Sequence, residues 1–308
     1  MADTLSAFQN NRVLSKTLHH ISPNLTKPVF IISAPRSGSS YLYEIARKMQ
    51  GVISFNRENS ALWFRVFPYA DASCASDYIG IKDCTPNRCA SLKSLIATKA
   101  VFDRKRIDRE VLIKNFVLRR SMRYMEKTIS NCFHLDAIEK IFPDAIYIHL
   151  VRDGRDNISS MIEGWNTFVK VGIDLPTSTK IKHWAYAMPP GWQTQVEKPI
   201  EEICAWSWIE HNRYVLDKFT GKSNSGNYIR LYYEDLLSNP LKMLEKISTF
   251  ADLPTSEQAF AYINSKKLSW SAISPPKRDK WKELNLEKIE RISPKIEPMM
   301  KKLGYSGI

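Results

Sequence analysis

The sequence predicts an α/β fold, because short apolar runs typical of strands alternate with helical patterns along its 308 residues. Two stretches, at about 28–50 and 145–162, each read as a strand, a short polar turn and a helix. The run 145–151 is apolar on both faces, as expected for a central strand of a parallel sheet. No internal repeat or low-complexity linker divides the chain, so we expect an N-terminal arm at 1–27 and a single domain at 28–308.

The first unit has a strand at about 28–33 and a helix at about 39–50. The turn between them reads Pro35-Arg36-Ser37-Gly38-Ser39-Ser40. Gly38 allows the backbone to approach a ligand closely, and Arg36 supplies a fixed charge with a planar set of donors. The two serines after Gly38 open the helix, where free amides and the helix dipole favour a phosphate. A nucleoside-triphosphate P-loop is excluded, since no glycine starts the motif and no lysine follows Gly38. Taken alone, the turn fits a phosphate site or a plain connection.

A short strand is expected at 51–55, and Glu58 follows it. If this strand joins the same sheet, Glu58 faces the cleft beside the first turn, where ligands bind in open parallel sheets. The alternative is an ordinary solvated loop residue or a helix-capping partner. Farther along, 111–113 could form a strand, and a helix is expected at 135–141.

The strand 145–151 ends in Arg152-Asp153-Gly154-Arg155-Asp156, and a helix through 158–162 follows. Arg152 and Ser160 therefore lie at the two ends of one turn and helix start, and they could hold an anion between them. The alternative is a local Arg–Asp ion pair, which stabilises little when exposed.

Residues 164–200 are irregular and rich in tryptophan and proline, and they are too long for a simple connection. They could form a binding loop that presents exposed indoles, or the indoles could close a local core. The remaining predicted elements are a helix at 200–219, a strand at 228–233, a helix from 240 to about 252, a basic loop at 264–281 and an amphipathic helix at about 284–303.

The net charge of +13 indicates attraction to anions, or simply a well-solvated basic surface. A polyphosphorylated cofactor, an acidic glycan, nucleic acid and an anionic membrane would all fit the charge. The five cysteines have no paired or zinc-binding spacing, so we expect reduced thiols and no metal. No apolar signal region and no run long enough to span a bilayer is present, so we expect a cytoplasmic protein. Contact with a membrane surface stays an open alternative.

Four separated stretches occur in a characteristic order: Pro35-Arg36-Ser37-Gly38-Ser39-Ser40, then Glu126-Lys127-Thr128 with Asn131 and Phe142-Pro143-Asp144, then Arg152-Asp153-Gly154-Arg155-Asp156 with Ser160, then Tyr233-Glu234-Asp235-Leu236-Leu237 with Pro240. They resemble the motifs of sulfotransferases that use 3′-phosphoadenosine 5′-phosphosulfate (PAPS). Lys280-Trp281 and Lys302-Leu303-Gly304-Tyr305 resemble the C-terminal part of that family, so the resemblance covers about 28–305.

The resemblance implies a P-loop-like, three-layer fold with a central, mostly parallel sheet flanked by helices. It also implies PAPS as co-substrate, no metal, and transfer of a sulfuryl group to a hydroxyl or amine, giving PAP. By motif match, the 5′-phosphosulfate would be bound by Arg36, Ser37, Gly38, Ser39 and Ser40, and Tyr41 after them would also contact the cofactor. The 3′-phosphate would be bound by Arg152 and Ser160. Weaker candidates for the adenosine end are Tyr233, Lys277, Arg278 and Lys280.

The general base is less directly indicated. Many cytosolic members have a histidine in a Lys-Thr-His sequence, whereas this chain has Lys127-Thr128-Ile129. The spacing instead resembles tyrosylprotein sulfotransferases, whose glutamate base lies after the first helix, and Glu58 falls there. Glu44, on the first helix, is the disfavoured alternative. The resemblance thus gives Glu58, Lys127 and Arg36 as catalytic residues, with Lys127 offsetting charge on the bridging oxygen. The alternative for Lys127 is a surface lysine on a helix.

Two other functions stay open at this stage: a phosphoryl-transfer P-loop enzyme, and a catalytically inactive protein that binds PAP or a glycan. Nucleic-acid binding is supported only by charge, so no nucleic-acid partner is expected. We expect a carbohydrate, lipid or small-molecule acceptor, with a pocket shaped by residues 164–192. The sequence does not indicate the oligomeric state.

Overall fold

The computed structural model describes residues 24–68, 76–102, 121–167, 173–220 and 226–305. Its strands are β1 (Val29–Ile32), β2 (Val52–Ile53), β3 (Arg123–Lys127), β4 (Ile146–Val151), β5 (Ile173–Asp174), β6 (His183–Trp184) and β7 (Tyr228–Tyr232). Five of them form one sheet in the order β2-β3-β1-β4-β7, and every pairing in it is parallel. Strands β5 and β6 form a separate antiparallel pair.

The helices are α1 (Ser39–Ala46), α2 (Ser60–Val66), α3 (Pro86–Phe102), α4 (Leu135–Ile141), α5 (Gly154–Gly164), α6 (Ile200–Lys218), α7 (Tyr233–Ser238), α8 (Pro240–Ala251), α9 (Glu257–Asn264), α10 (Trp281–Leu284) and α11 (Leu286–Leu303). Short 3₁₀ turns lie at Ile81–Asp83, Ile129–Phe133 and Trp192–Gln195.

Both faces of the sheet are buried, as the apolar strands predict. Successive side chains of a strand point to opposite faces. Phe30 and Ile32 accordingly join one apolar cluster with α3 and α4, whereas Val29 and Ile31 join another with α1 and α8. The sheet is therefore the middle of three layers, which confirms the predicted fold class.

The elements predicted around β1, β4 and β7 are confirmed within a few residues, but β3 was missed. Its sequence, Arg123-Tyr124-Met125-Glu126-Lys127, carries three charged residues and does not read as an interior strand. Glu126 and Lys127 are nevertheless 1% and 3% exposed. The predicted strand at 111–113 and most of the predicted N-terminal arm (1–23) lie outside the described residues, while Leu25 pairs with Met122 beside the sheet.

The parallel pairing places the carboxyl ends of all five strands along one edge of the sheet. Ligand sites of open parallel sheets lie at this edge. Four side chains singled out from the sequence follow strands β1, β2, β4 and β7 within a few residues: Arg36, Glu58, Arg152 and Tyr233. Lys127 is the last residue of β3, and it pairs in register with Ile31 of β1.

The tryptophan-rich segment 164–200 packs its indoles inward. Trp165, Trp184 and Trp192 are at most 4% exposed and belong to a third apolar cluster with α5, α6 and α11. Trp184 contacts the rings of both of the others. Of the two readings, the local core is therefore correct, and the exposed indoles expected of a binding loop are absent from these three positions.

Three buried histidines should make the fold sensitive to acid. Burial lowers the pKa of His134 and His149 to about 3 and that of His211 to about 4. A histidine in the unfolded chain is protonated below about pH 6.5, whereas these three stay neutral in the folded protein. Protons therefore bind the unfolded state preferentially as the pH falls below that value. The full free energy of unfolding is present above about pH 6.5 and decreases below it. We expect the free energy of unfolding to fall by about 4 kcal/mol between pH 7 and pH 5.5. Urea unfolding across this range measures it, and a flat profile would contradict the neutral burial of these rings.

Candidate active site

The loop between β1 and α1 has a backbone shape that depends on glycine. Gly38 has a φ of 87°, and a Cβ atom built on it would lie 2.3 Å from the Tyr233 ring. Arg36 also has a positive φ, of 66°. The amides of Tyr41 and Leu42 donate to the carbonyl of Gly38. As the first residues of α1, Ser39 and Ser40 have backbone amides for which the helix provides no acceptor, so they can donate to an anion.

Ser37 behaves differently from the other loop serines. Its hydroxyl donates to the carbonyl of Ala34 at 2.6 Å, and its side chain is buried. Ser39 and Ser40 line the adjoining cavity, and Ser37 does not. The Ser37 side chain therefore shapes the loop, which leaves only its backbone for the ligand role suggested by the motif.

Two arginines that follow different strands are linked at this loop by a hydrogen bond. The Arg36 guanidinium donates to the Ser271 carbonyl through Nη1 at 2.7 Å and to Ser160 Oγ through Nε at 3.4 Å. Arg152 Nη1 donates to the carbonyl of Arg36 at 3.0 Å. Burial lowers the pKa of Arg36, and the charge of Arg152 acts in the same direction.

Arg152 is held firmly but is not fully paired. It is 7% exposed, and its guanidinium lies 4.5 Å from the centre of the Tyr233 ring. Its Nε is buried and has no hydrogen-bond partner within the described residues. A buried arginine with a donor left unpaired by the described residues, next to a second, half-buried arginine, fits a ligand that carries more than one negative charge.

Glu58 and Lys127 form an ion pair beside the loop. Lys127 Nζ also lies 3.4 Å from Ser40 Oγ, and the amide of Ile129 donates to Glu58 Oε2 at 3.3 Å. The alternative of a surface helical lysine is wrong, because Lys127 ends a strand and is 3% exposed. Glu44, the alternative base, pairs with Arg47 at 3.0 Å and does not line the cavity.

A buried hydrogen-bond network that sequence reasoning missed ties the Glu58 and Lys127 segments together. The amide of Asn59 donates to Thr128 Oγ1 at 3.0 Å, and its side-chain amide donates to the Tyr124 hydroxyl at 2.7 Å. That hydroxyl in turn donates to the Glu126 carboxylate. Glu126 also accepts from Trp63 Nε1 at 2.7 Å and from an Asn131 amide at 2.9 Å. In the sequence, Asn59 directly follows Glu58 and Thr128 directly follows Lys127. This adjacency to two predicted catalytic residues was the signal from which the network could have been suspected.

These groups share one cavity of about 1420 Å³ at the carboxyl edge of the sheet. Its walls include nearly all the predicted site residues: Arg36, Gly38, Ser39, Ser40, Tyr41, Glu58, Lys127, Arg152, Ser160, Tyr233, Lys277 and Lys280. Arg278 does not line it, and its Nη2 donates to the Glu234 carbonyl at 2.7 Å. Lys277 pairs with exposed Glu283 and Lys280 with Ser274, so both lysines lie toward the solvent side.

Part of the segment 164–200 also reaches this cavity, although its indoles do not. Ala185, Tyr186, Ala187 and Met188 form a piece of the wall. The Tyr186 hydroxyl donates to the Met161 carbonyl at 2.9 Å, and burial raises the pKa of Tyr186.

Within the part of the chain that the structure describes, no group of three or more His, Cys, Asp or Glu side chains could hold a metal ion. The same residues contain no helix that is both long and apolar enough to cross a membrane. The four cysteines among them, Cys84, Cys89, Cys132 and Cys204, are free thiols.

Comparison with known proteins gives consistent matches. A sequence model of the sulfotransferase family matches residues 28–257. Two proteins of Caenorhabditis elegans named as protein-tyrosine sulfotransferases are similar, at 22% identity over 181 residues and 26% over 186 residues. These alignments cover 54% and 56% of this chain but only 41% and 61% of the relatives' own length. A crystal structure of a sulfotransferase from Mycobacterium avium is 14% identical with a TM-score of 0.53, covering 96% of this chain and 81% of that one, and it supports the fold.

Proposed function

Because this chain belongs to the sulfotransferase family, we propose that it moves a sulfuryl group from PAPS to a hydroxyl or amine of an acceptor, releasing PAP. PAPS would be the co-substrate and would supply the activated sulfuryl group. The acceptor we propose is a carbohydrate, a lipid or another small molecule.

One observation supports this proposal most strongly: Lys127 contacts both the Glu58 carboxylate and the Ser40 hydroxyl. Through Lys127, the candidate base Glu58 is thereby connected to Ser40 of the anion-binding loop. Sulfuryl transfer, like phosphoryl transfer, needs positioning and charge stabilisation more than covalent chemistry by the protein.

In this proposal Glu58 accepts the proton of the acceptor hydroxyl as the bond to sulfur forms. Lys127, on the same carboxylate, offsets the negative charge that develops on the oxygen joining sulfate to phosphate. Arg36 and the amides of Ser39 and Ser40 bind the phosphosulfate end. Arg152 and Ser160 bind the 3′-phosphate.

The size of the cavity supports two bound molecules at once. Pockets for a single drug-sized ligand typically measure roughly 300–1,000 Å³. The volume of about 1420 Å³ exceeds that range, so an acceptor can lie beside the co-substrate. Its walls combine charged groups with apolar side chains such as Met188, Ile263 and Leu268.

Thermal melting with matched nucleotides tests the proposal. PAP at about 100 times its dissociation constant should stabilise the protein by about 2.7 kcal/mol, a rise in Tm of roughly 5 °C. ADP, which has the same number of phosphates but none on the 3′ position, is the matched control, and ATP and heparin test the competing functions. Equal stabilisation by ATP or ADP would contradict the proposal.

A further inference from the structure

The cavity contains one indole that the fold does not bury. All eight tryptophans lie within the described residues, and Trp270, at 42%, is the exposed one among them. It lies on the loop between α9 and α10 and lines the cavity. An aromatic ring of this size buries a large apolar area when a ligand packs on it.

Trp270 lies at the reacting end of the cavity. The centre of its ring is 5.8 Å from Lys127 Nζ and 5.9 Å from the Arg57 guanidinium. Lys127 is paired with Glu58, the proposed base. Arg57 directly precedes Glu58 in the sequence. An acceptor whose hydroxyl reaches Glu58 can therefore contact this ring, which lines the same cavity.

Both cations lie over the ring. Both lie near the outer limit of about 6 Å for a cation–π contact. Arg57 is itself exposed and can shift aside. Arg152, a proposed 3′-phosphate ligand, has a different aromatic partner, the ring of Tyr233.

The backbone next to Trp270 is anchored. The carbonyl of Ser271 accepts a hydrogen bond from Arg36 Nη1 at 2.7 Å, which ties this loop to the anion-binding loop. The indole is thus presented from a fixed point, and pre-positioned aromatic surfaces bind at a low cost in conformational entropy.

We propose that Trp270 is the platform on which a ring of the acceptor packs, which makes it a residue that determines acceptor specificity. The acceptor then carries either an aromatic ring or a pyranose ring with an apolar C–H face, next to its reactive hydroxyl. This inference rests on the proposed sulfuryl transfer and adds the class of acceptor to it.

The test compares three probe acceptors with labelled PAPS: 2-naphthol, methyl β-glucoside and 1-hexanol. Trp270→Ala should raise the KM of the preferred ring acceptor roughly tenfold, while Trp270→Phe should keep it within about threefold. The KM of hexanol and the PAP affinity measured by calorimetry should stay within about twofold. Phe64→Ala is the matched control, since Phe64 is 52% exposed but does not line the cavity.

Two results would overturn the inference. An equal rise in KM for hexanol would mean that Trp270 is only an apolar surface, and an equal loss of PAP affinity would place its ring against the co-substrate. Calorimetry of probe binding to the protein–PAP complex measures acceptor affinity without turnover, so the inference can be tested independently of sulfuryl transfer. Binding of a ring that depends on Trp270, without transfer to any acceptor, would contradict the proposed function and support the platform.

Discussion

Replacing Glu58 with Gln should lower kcat about 10²- to 10⁴-fold at saturating PAPS, the usual contribution of a positioned general base. The amide has nearly the same shape as the carboxylate but cannot accept the acceptor's proton at neutral pH. It also loses the charge that pairs with Lys127. Transfer of labelled sulfate to the best acceptor measures the effect.

The affinity for PAP should change little in the same variant, because Glu58 is not proposed to contact either phosphate. Glu44→Gln is the matched control, since Glu44 is the alternative base considered above, pairs with Arg47 and does not line the cavity. It should keep kcat within about threefold. Full turnover by the Glu58→Gln enzyme would reject this residue as the base.

The sequence was sufficient to predict the main features of the fold. Strands β1 and β4 are continuous apolar runs, which periodicity detects directly, and polar turns follow both. Because parallel strands share one edge for their carboxyl ends, Arg36 and Arg152 could be expected to converge from positions 116 residues apart. The structure places them in contact.

Strand β3 could not be predicted in the same way, for a physical reason. It buries Glu126 and Lys127, whose burial is tolerated only because each finds polar partners. Those partners, Glu58 and Asn131 among them, come from other elements of the fold. A one-dimensional pattern carries no sign of such compensation, so no strand was predicted at these positions.

The aromatic residues could not be assigned from the sequence on similar grounds, since the binding loop and the local core both stayed open. Residues 164–192 hold three tryptophans in a proline-rich context, which is typical of a binding loop, yet all three indoles are buried. Trp270 is a single tryptophan in a basic loop, and no pattern in the sequence marks it as a binding residue. Only the packing distinguishes an indole that completes a core from one that faces a cavity.

Replacing Arg152 with Ala should weaken PAP binding about 10- to 150-fold in calorimetric titration. That range corresponds to the roughly 1.5–3 kcal/mol of a charge-assisted hydrogen bond. The buried Arg152 guanidinium has an Nε without a partner in the described residues. Arg36 links it to Ser160, the other proposed 3′-phosphate ligand, because Arg152 donates to the Arg36 carbonyl and Arg36 donates to the Ser160 hydroxyl. Arg36→Ala should cause a loss of the same order at the phosphosulfate end.

Arg155 provides the matched control, because it belongs to the same turn but pairs with Asp153 at 2.6 Å and does not line the cavity. Arg155→Ala should keep PAP affinity within about twofold. Comparing PAP with adenosine 5′-phosphate separates the two arginines, since loss of a 3′-phosphate contact lowers the affinity for PAP only. If Arg152→Ala weakened both nucleotides equally, its charge would act on the 5′ end, and the proposed division of the two phosphates between the two strand ends would be wrong.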